Sequence, residues 1–259
     1  MQRSKKQLLL MMAFLMPFSF SIWMVLLNNF AIEVAQFTGR EIGILQSLRE
    51  IPGFLAFTAI FVLLVLKEQT FALLSLLVLA IGITLTGFFP SIYGLYFTTV
   101  LMSVGFHYFE TVNQSLTLQW IPKDETPAFM GKALAVKGAA AVLAYSSLWA
   151  LLEYTEFEYV SLYAMFGGAT IIAVLFIAFR FPHYTAEHEQ HKRLILRQRY
   201  WLFYTLVFLS GARRQIFVVF AGFLMVEKFD YSVSDIALLY LANQVLNILF
   251  AGKIGQLIW

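Results

Sequence analysis

Residues 92–120 read IYGLYFTTVLMSVGFHYFETVNQSLTLQW, an apolar run interrupted between Ser103 and Gln114 by Ser103, His107, Glu110, Thr111, Asn113 and Gln114. As a helix rising ~1.5 Å per residue, this stretch is long enough to cross a hydrocarbon core of ~30 Å. Ser103, His107, Glu110, Thr111 and Gln114 follow the i, i+4, i+7, i+8, i+11 spacing of a single helical stripe, with Asn113 at its margin. Such a stripe cannot face lipid. Ionisable groups at membrane depth turn toward a bundle interior or a water-filled cavity, where they mark a solute or ion path. The structural alternative is a set of polar contacts that only hold helices together.

The rest of the chain agrees with a membrane setting. It has 259 residues, 60% of them hydrophobic and only 13% charged, and its mean hydropathy is +0.76. That composition excludes an ordinary soluble domain and predicts an all-α polytopic membrane protein. Apolar runs recur at about 7–30, 42–66, 71–89, 92–120, 129–152, 159–179, 201–226 and from 234 onward, so about eight transmembrane helices are expected. The first run is too long for a signal-peptide core, lacks an A-x-A cleavage site and is followed by further spans, so it is expected to stay as a helix. Gly131, Ala135 and Ala139 share one stripe of the fifth run, with Gly138 beside it, and predict a close helix contact there.

Charge sets orientation rather than nucleic-acid binding. With a cytoplasmic N-terminus, the inner segments hold Arg3, Lys5, Lys6, Lys67, Lys123, Lys132, Arg180, Lys192, Arg193, Arg197 and Arg199, against Arg40 and Lys228 outside. The expected location is the plasma membrane, the inner membrane if the source is bacterial. The chain has no cysteine, which removes disulfides and thiolate sites. The histidines between 182 and 199 lack regular spacing and a second ligand cluster, so neither a metal nor a cofactor is expected. No H-E-x-x-H, G-x-S-x-G or glycine-rich phosphate loop is present, so an enzyme is not expected.

Several buried charges require partners. Arg213 and Arg214 lie near the middle of the seventh run, and because consecutive helix residues diverge by ~100° at most one of them faces a cavity centre. Arginine's planar fork suits a carboxylate or phosphate, which favours an anionic or zwitterionic solute. Glu110 and Lys137 lie at similar depths on successive runs and are expected to pair; protonating Glu110 would release Lys137, with His107 as a proton relay. Gln46, Arg49, Glu50 and Gly53 share a face of the second run and suggest a gate or helix clamp toward the outer end.

A shift of 194 residues aligns the first two runs with the last two without a gap: Phe14 falls on Phe208, Ile22 on Ile216, Glu33 on Glu227, Glu41 on Asp235 and Ile42 on Ile236. Six spans, a basic linker and a restart resemble the major facilitator superfamily, whose halves are parallel repeats. Gly252-Lys-Ile-Gly255 resembles the opening of that family's loop motif. The resemblance implies a first six-helix repeat at 1–181, a cytoplasmic linker at 182–199 and the first two helices of a second repeat at 200–259. The chain is accordingly expected to be a truncated part of a protein with about twelve spans. It also implies a central cavity that sets His107, Glu110 and Gln114 beside Arg213 and Arg214. The implied function is alternating-access permease activity, secondary transport of a small-molecule solute coupled to an ion, with the proton favoured. The alternatives are a non-transporting scaffold or sensor and an inactive transporter fragment.

Overall fold

The computed structural model describes residues 2–184 and 197–257, and their side chains except those at 2, 3, 207, 208, 210–219 and 247–257. Among the described residues every regular element is helical. Helix α1 (Gln2–Asn29) runs into a π-helical turn, Phe30–Val34, and α2 (Gly39–Phe54) passes through a 3-10 turn, Leu55–Thr58, into the short α3 (Ala59–Val62). There follow α4 (Glu68–Thr86), α5 (Ile92–Trp120), α6 (Thr126–Tyr154), α7 (Tyr159–Arg180), α8 (Trp201–Phe229) and α9 (Val233–Leu257). Among the described residues five stretches are long and apolar enough to cross a membrane: Ser4–Val34, Gly39–Val62, Glu68–Thr86, Thr126–Tyr154 and Tyr159–Arg180. Helix α5 has 29 residues but is not among them; it carries the polar run.

Local sequence accounts for where the helices start and bend. Thr38 and Glu41 form a capping box at the head of α2, and the Ser91 hydroxyl accepts the Gly94 amide at 3.1 Å at the head of α5. Pro52 lacks the N–H that would bond to Leu48, and two residues later α2 gives way to the 3-10 turn. The Ser103 hydroxyl of α5 donates to the Arg49 carbonyl one turn before that break, tying the irregular part of α2 to α5.

Packing is closest between α4 and α5. A Cβ on Gly105 would lie 2.3 Å from the Leu79 nitrogen and 2.5 Å from the Ser75 oxygen, and one on Gly82 would lie 2.5 Å from the Met102 nitrogen. These glycines let the two backbones touch. Helix α4 also packs on α7, α1 on α6 and α7, α2 on α5, and α9 on α6. Leu8, Met12, Ile22, Trp23 and Leu26 of α1 are buried at the centre. The expected contact stripe on α6 is corrected: Gly131, Ala135 and Ala139 are exposed, and a Cβ on Gly131 would meet nothing within 4 Å. The buried face is instead Ala140, Ala144 and Leu148, rotated by one helical position from Ala135 and Ala139, because that rotation lays α6 against α1.

The repeat has a structural counterpart at the turns before α2 and α9. Gln36 (φ 56°) and Asp230 (φ 53°), 194 positions apart, are the non-glycine residues with positive φ among the described residues. In each turn an amide reaches six residues back, Phe37 to Ala31 at 2.8 Å and Tyr231 to Met225 at 3.2 Å. The following helix then opens on a reciprocal cap, with the Thr38 amide donating to Glu41 at 3.0 Å and the Ser232 amide to Asp235 at 2.9 Å. Left-handed backbone costs an L-residue ~1–2 kcal/mol, part of which glycine returns as unfolded-chain entropy. Gln36→Gly is therefore expected to raise stability by about 0.5–1 kcal/mol, read as a higher thermal midpoint in detergent.

The two ends of the bundle differ. At one end Lys5 lies 5.8 Å from the centre of the Trp120 ring, Lys6 pairs with Glu125, and Gln69 bonds to the Pro182 carbonyl and the Tyr184 amide. At the other, the Asn29 amide donates to the Tyr231 carbonyl at 2.9 Å and Tyr159 donates to Glu33 at 2.6 Å. Helices α8 and α9 join the earlier helices at this second end, where Phe223, Val226, Val233, Ile236 and Ala237 are buried, whereas Trp201, Leu202 and Phe203 at the start of α8 are exposed.

Candidate solute cavity

A cavity of about 530 Å³ lies where α1, α2, α5 and α6 face α8 and α9. From α2 come Arg49 and Glu50, held there by the Ser103 bond and the break at Pro52. The Arg49 guanidinium is buried, and its Nε and Nη2 donate to one oxygen of Glu50 at 3.1 and 2.9 Å. Its Nη1 points to the Met24 sulfur at 3.6 Å, a weak acceptor. From α5 come Ser103, Phe106 and His107. The His107 ring stands edge-on to Phe106 with centroids 5.0 Å apart, and Phe106 stacks on Phe20 of α1 at 4.6 Å. Gly53 makes room for the imidazole: a Cβ there would lie 2.7 Å from His107 Cε1.

Among the described residues the opposite wall is uncharged. Tyr240, Asn243 and Gln244 of α9 line it with Gly222 and Met225 of α8. Tyr240 packs on Tyr145 of α6 with ring centres 5.7 Å apart. A Cβ on Gly222 would meet Asn28 at 2.9 Å and the Tyr240 hydroxyl at 3.3 Å, so α8 approaches α1 and α9 closely there. A cavity of this size, mostly apolar with a few convergent polar groups, has the character of a small-molecule site.

The structure divides the residues expected to form one pathway. His107 lines the cavity, and Arg49 and Glu50, expected as a gate or helix clamp, line it too, because the bend of α2 carries them against Ser103 and His107. Gln46 is buried on the same helix but is not part of the lining, and its Oε1 has no partner among the described residues. Glu110 and Lys137 do meet, Nζ to Oε1 at 2.8 Å, with 38% and 28% of their side chains exposed. They and Gln114 lie outside the lining, toward the Trp120 end of α5, where Thr111 and Gln114 are exposed and Asn113 is half-buried, its Oδ1 without a partner among the described residues. The stripe is longer than the cavity, so only its first turn reaches it. The side chains of Arg213 and Arg214 lie outside the described residues, as do His188 and His191; among the described residues no three metal-ligating groups come together.

Two features escaped the sequence reading. Glu68 is buried, accepting from Ser115 at 2.9 Å and from Gln119 at 2.9 and 2.7 Å; the i, i+4 pair Ser115 and Gln119 at the matching depth of α5 was the available signal. Gln244 was the other, visible as the residue 194 positions after Glu50.

A bundle of long apolar helices around a mostly apolar cavity with a few convergent polar groups, with its last two helices joined at one end, defines a polytopic helical membrane protein of the transporter type. The sequence pattern of the Major Facilitator Superfamily matches residues 7–258, and the chain belongs to that family of membrane transporters. Among solved structures it is similar to the nucleoside transporter NupG, with 18% identity and a TM-score of 0.72 over 98% of this chain and 67% of that one. It is also similar to a bacterial homologue of the human lysosomal transporter Spinster, solved inward-facing and unoccupied, with 12% identity and a TM-score of 0.60 over 91% of this chain and 58% of that one. The chain thus spans about two thirds of the first and less of the second. No curated protein matches the sequence.

Proposed function

We propose that the protein is a secondary transporter that moves a small anionic or zwitterionic solute by alternating access, coupled to an ion gradient, with the proton as the coupling ion. The observation that carries this reading is the Arg49–Glu50 ion pair beside His107 on the wall of a cavity shared with α8 and α9. A solute carboxylate can take Glu50's place on the guanidinium fork, and a solute ammonium can take Arg49's place on Glu50, so an amphoteric group exchanges into the pair without leaving a buried charge bare. His107 lines the cavity with the pair, and an imidazole can take up and release a proton, which suits it to coupling. The contacts at the Asn29–Tyr231 end, with the start of α8 exposed at the other, fit a state closed on one side. Within this reading residues 1–181 form one repeat, 182–199 a linker and 200–259 the start of the second, and Arg213 and Arg214 add positive charge to the pathway.

The test is uptake of radiolabelled solutes by the full protein in liposomes. Arg49→Gln is expected to lower uptake by at least about tenfold, the value of one charge-assisted hydrogen bond; unchanged uptake would remove Arg49 from the site. Glu110→Gln tests whether the Glu110–Lys137 pair serves coupling: gradient-driven accumulation is expected to be lost while solute exchange persists, because glutamine mimics the protonated acid. Accumulation that keeps its pH dependence in that variant assigns the pair to packing alone.

Orientation follows the charge bias, with the N-terminus cytoplasmic in the plasma membrane, the inner one of a bacterium. Glu156 and Lys123 are both exposed on opposite ends of the bundle. In intact cells an impermeant thiol reagent is expected to label Glu156→Cys and not Lys123→Cys, and the natural lack of cysteine keeps the background clean. The reverse pattern inverts the topology.

A further inference from the structure

Shifting the chain by 194 residues carries Arg49 onto Asn243 and Glu50 onto Gln244. Both pairs line the same cavity, one from α2 and the other from α9. The coincidence is structural as well as numerical, since the turns preceding the two helices share their positive-φ residue, their six-residue hydrogen bond and their reciprocal cap. Counted from those caps, the two pairs stand at the same height on equivalent helices. Resting on the solute-site reading above, we infer that Asn243 and Gln244 are the second half of the solute site: they bind a neutral hydrogen-bonding end, an amide or hydroxyl, of an amphoteric solute whose charged end lies on Arg49 and Glu50.

The chemistry of the two walls sets the direction of the solute. Glutamine has the shape of glutamate without its charge, and two amides together offer donors and acceptors with no net charge. Among the described residues that wall carries no charged side chain, so a charged group against it would leave water without a countercharge from Asn243 or Gln244, whereas an amide or hydroxyl is fully satisfied there. Between the walls, the stacked Phe20 and Phe106 rings offer an apolar surface to the middle of the solute. Gln244 is also positioned: its Nε2 lies 3.1 Å from where a Cβ on Gly138 of α6 would stand, so the glycine gives the amide its seat. A side chain at 138 crowds the amide without touching Arg49 or Glu50.

The experiment measures binding of L-glutamine, L-leucine and L-glutamate to the full protein in detergent by titration calorimetry. These probes share the zwitterionic head and differ in a neutral polar, an apolar or a charged end. The wild-type protein is expected to bind glutamine at least about tenfold more tightly than either of the others, as a site built to satisfy a polar group rejects analogues that leave it unpaired. Gln244→Leu is expected to cost glutamine about tenfold, the value of one hydrogen bond, while leucine changes by less than about threefold. Gly138→Val should repeat that selective loss through displacement alone, with folding checked by its thermal transition. If both variants bind all three probes as the wild type does, or weaken all three equally while remaining folded, the half-site is overturned. If Arg49→Gln leaves glutamine binding unchanged, the charged half and the function proposed above fail instead. If no probe binds the folded wild-type protein, the amphoteric solute class is wrong and both readings fall.

Discussion

Gly105→Val is expected to cost more than about 3 kcal/mol and to leave little folded protein in detergent. A side chain at 105 has no direction in which to relax, because the atoms in its way are backbone: the Leu79 nitrogen at 2.3 Å, the Ser75 oxygen at 2.5 Å and the Leu79 Cα at 2.7 Å. To admit even one methyl group, α4 and α5 must separate along their closest contact, opening space beside Leu79 and Met102, both fully buried. The loss therefore combines overpacking at 105 with cavities above and below it. Gly131→Ala is the control. Nothing lies within 4 Å of a Cβ at 131, so it is expected to leave the thermal midpoint unchanged or to raise it slightly through helix propensity. A Gly105→Val protein as stable as the control would mean that α4 and α5 are not in contact at this height.

The second large effect is expected at Gly53, on function more than on fold. A Cβ there would meet His107 Cε1 at 2.7 Å, Nε2 at 2.9 Å and Nδ1 at 3.0 Å, so all three contacts are with one stiff ring. For an ordinary contact of 3.4 Å the ring must retreat by roughly 0.7 Å, and it is already held edge-on by Phe106. Gly53→Ala is expected to lower uptake at least about tenfold while costing only about 1–3 kcal/mol of stability. Adding His107→Ala relieves the clash, so the double variant should recover stability with a coupling energy of about 0.5–3 kcal/mol. It should not recover uptake, since the imidazole itself is gone. Recovery of uptake in the double variant would show that His107 is only a packing residue; simple additivity in stability would show that 53 and 107 do not touch.

Much of the architecture lies in the sequence because the bilayer makes hydropathy a local property. Each span must satisfy its own backbone as a helix, so its existence can be read without knowing its neighbours. The expected starts at Ile92, Tyr159 and Trp201 are those of α5, α7 and α8, and the other helix boundaries lie within a few residues of their expected positions, moved by the caps at Thr38 and the start at Glu68. Depth is equally local, and counting residues from the ends of two successive antiparallel helices sufficed to pair Glu110 with Lys137. The caps at Thr38 and Ser232, 194 positions apart, were legible for the same reason, since a cap is set by a few neighbouring residues.

Rotation of one helix against another is not local, and it was decided only in the tertiary structure. Whether α6 turns Ala139 or Ala140 toward α1 depends on the shapes of both surfaces, a choice of about 100° that one strand of sequence does not contain. The division of the polar stripe depends on where α2 bends. Pro52 announces a break, but the Ser103 bond to the Arg49 carbonyl determines that the break brings Arg49 and Glu50 to His107 and leaves Glu110 outside. The last step is the meeting of Arg49 and Glu50 with Asn243 and Gln244 across one cavity, which requires α9 to pack on α6 and α8 to approach α1 at Gly222. The sequence alone could establish which groups lie at membrane depth, because burying charge in lipid has the same cost wherever it occurs; which of them face one another depended on close contacts between helices distant in the chain.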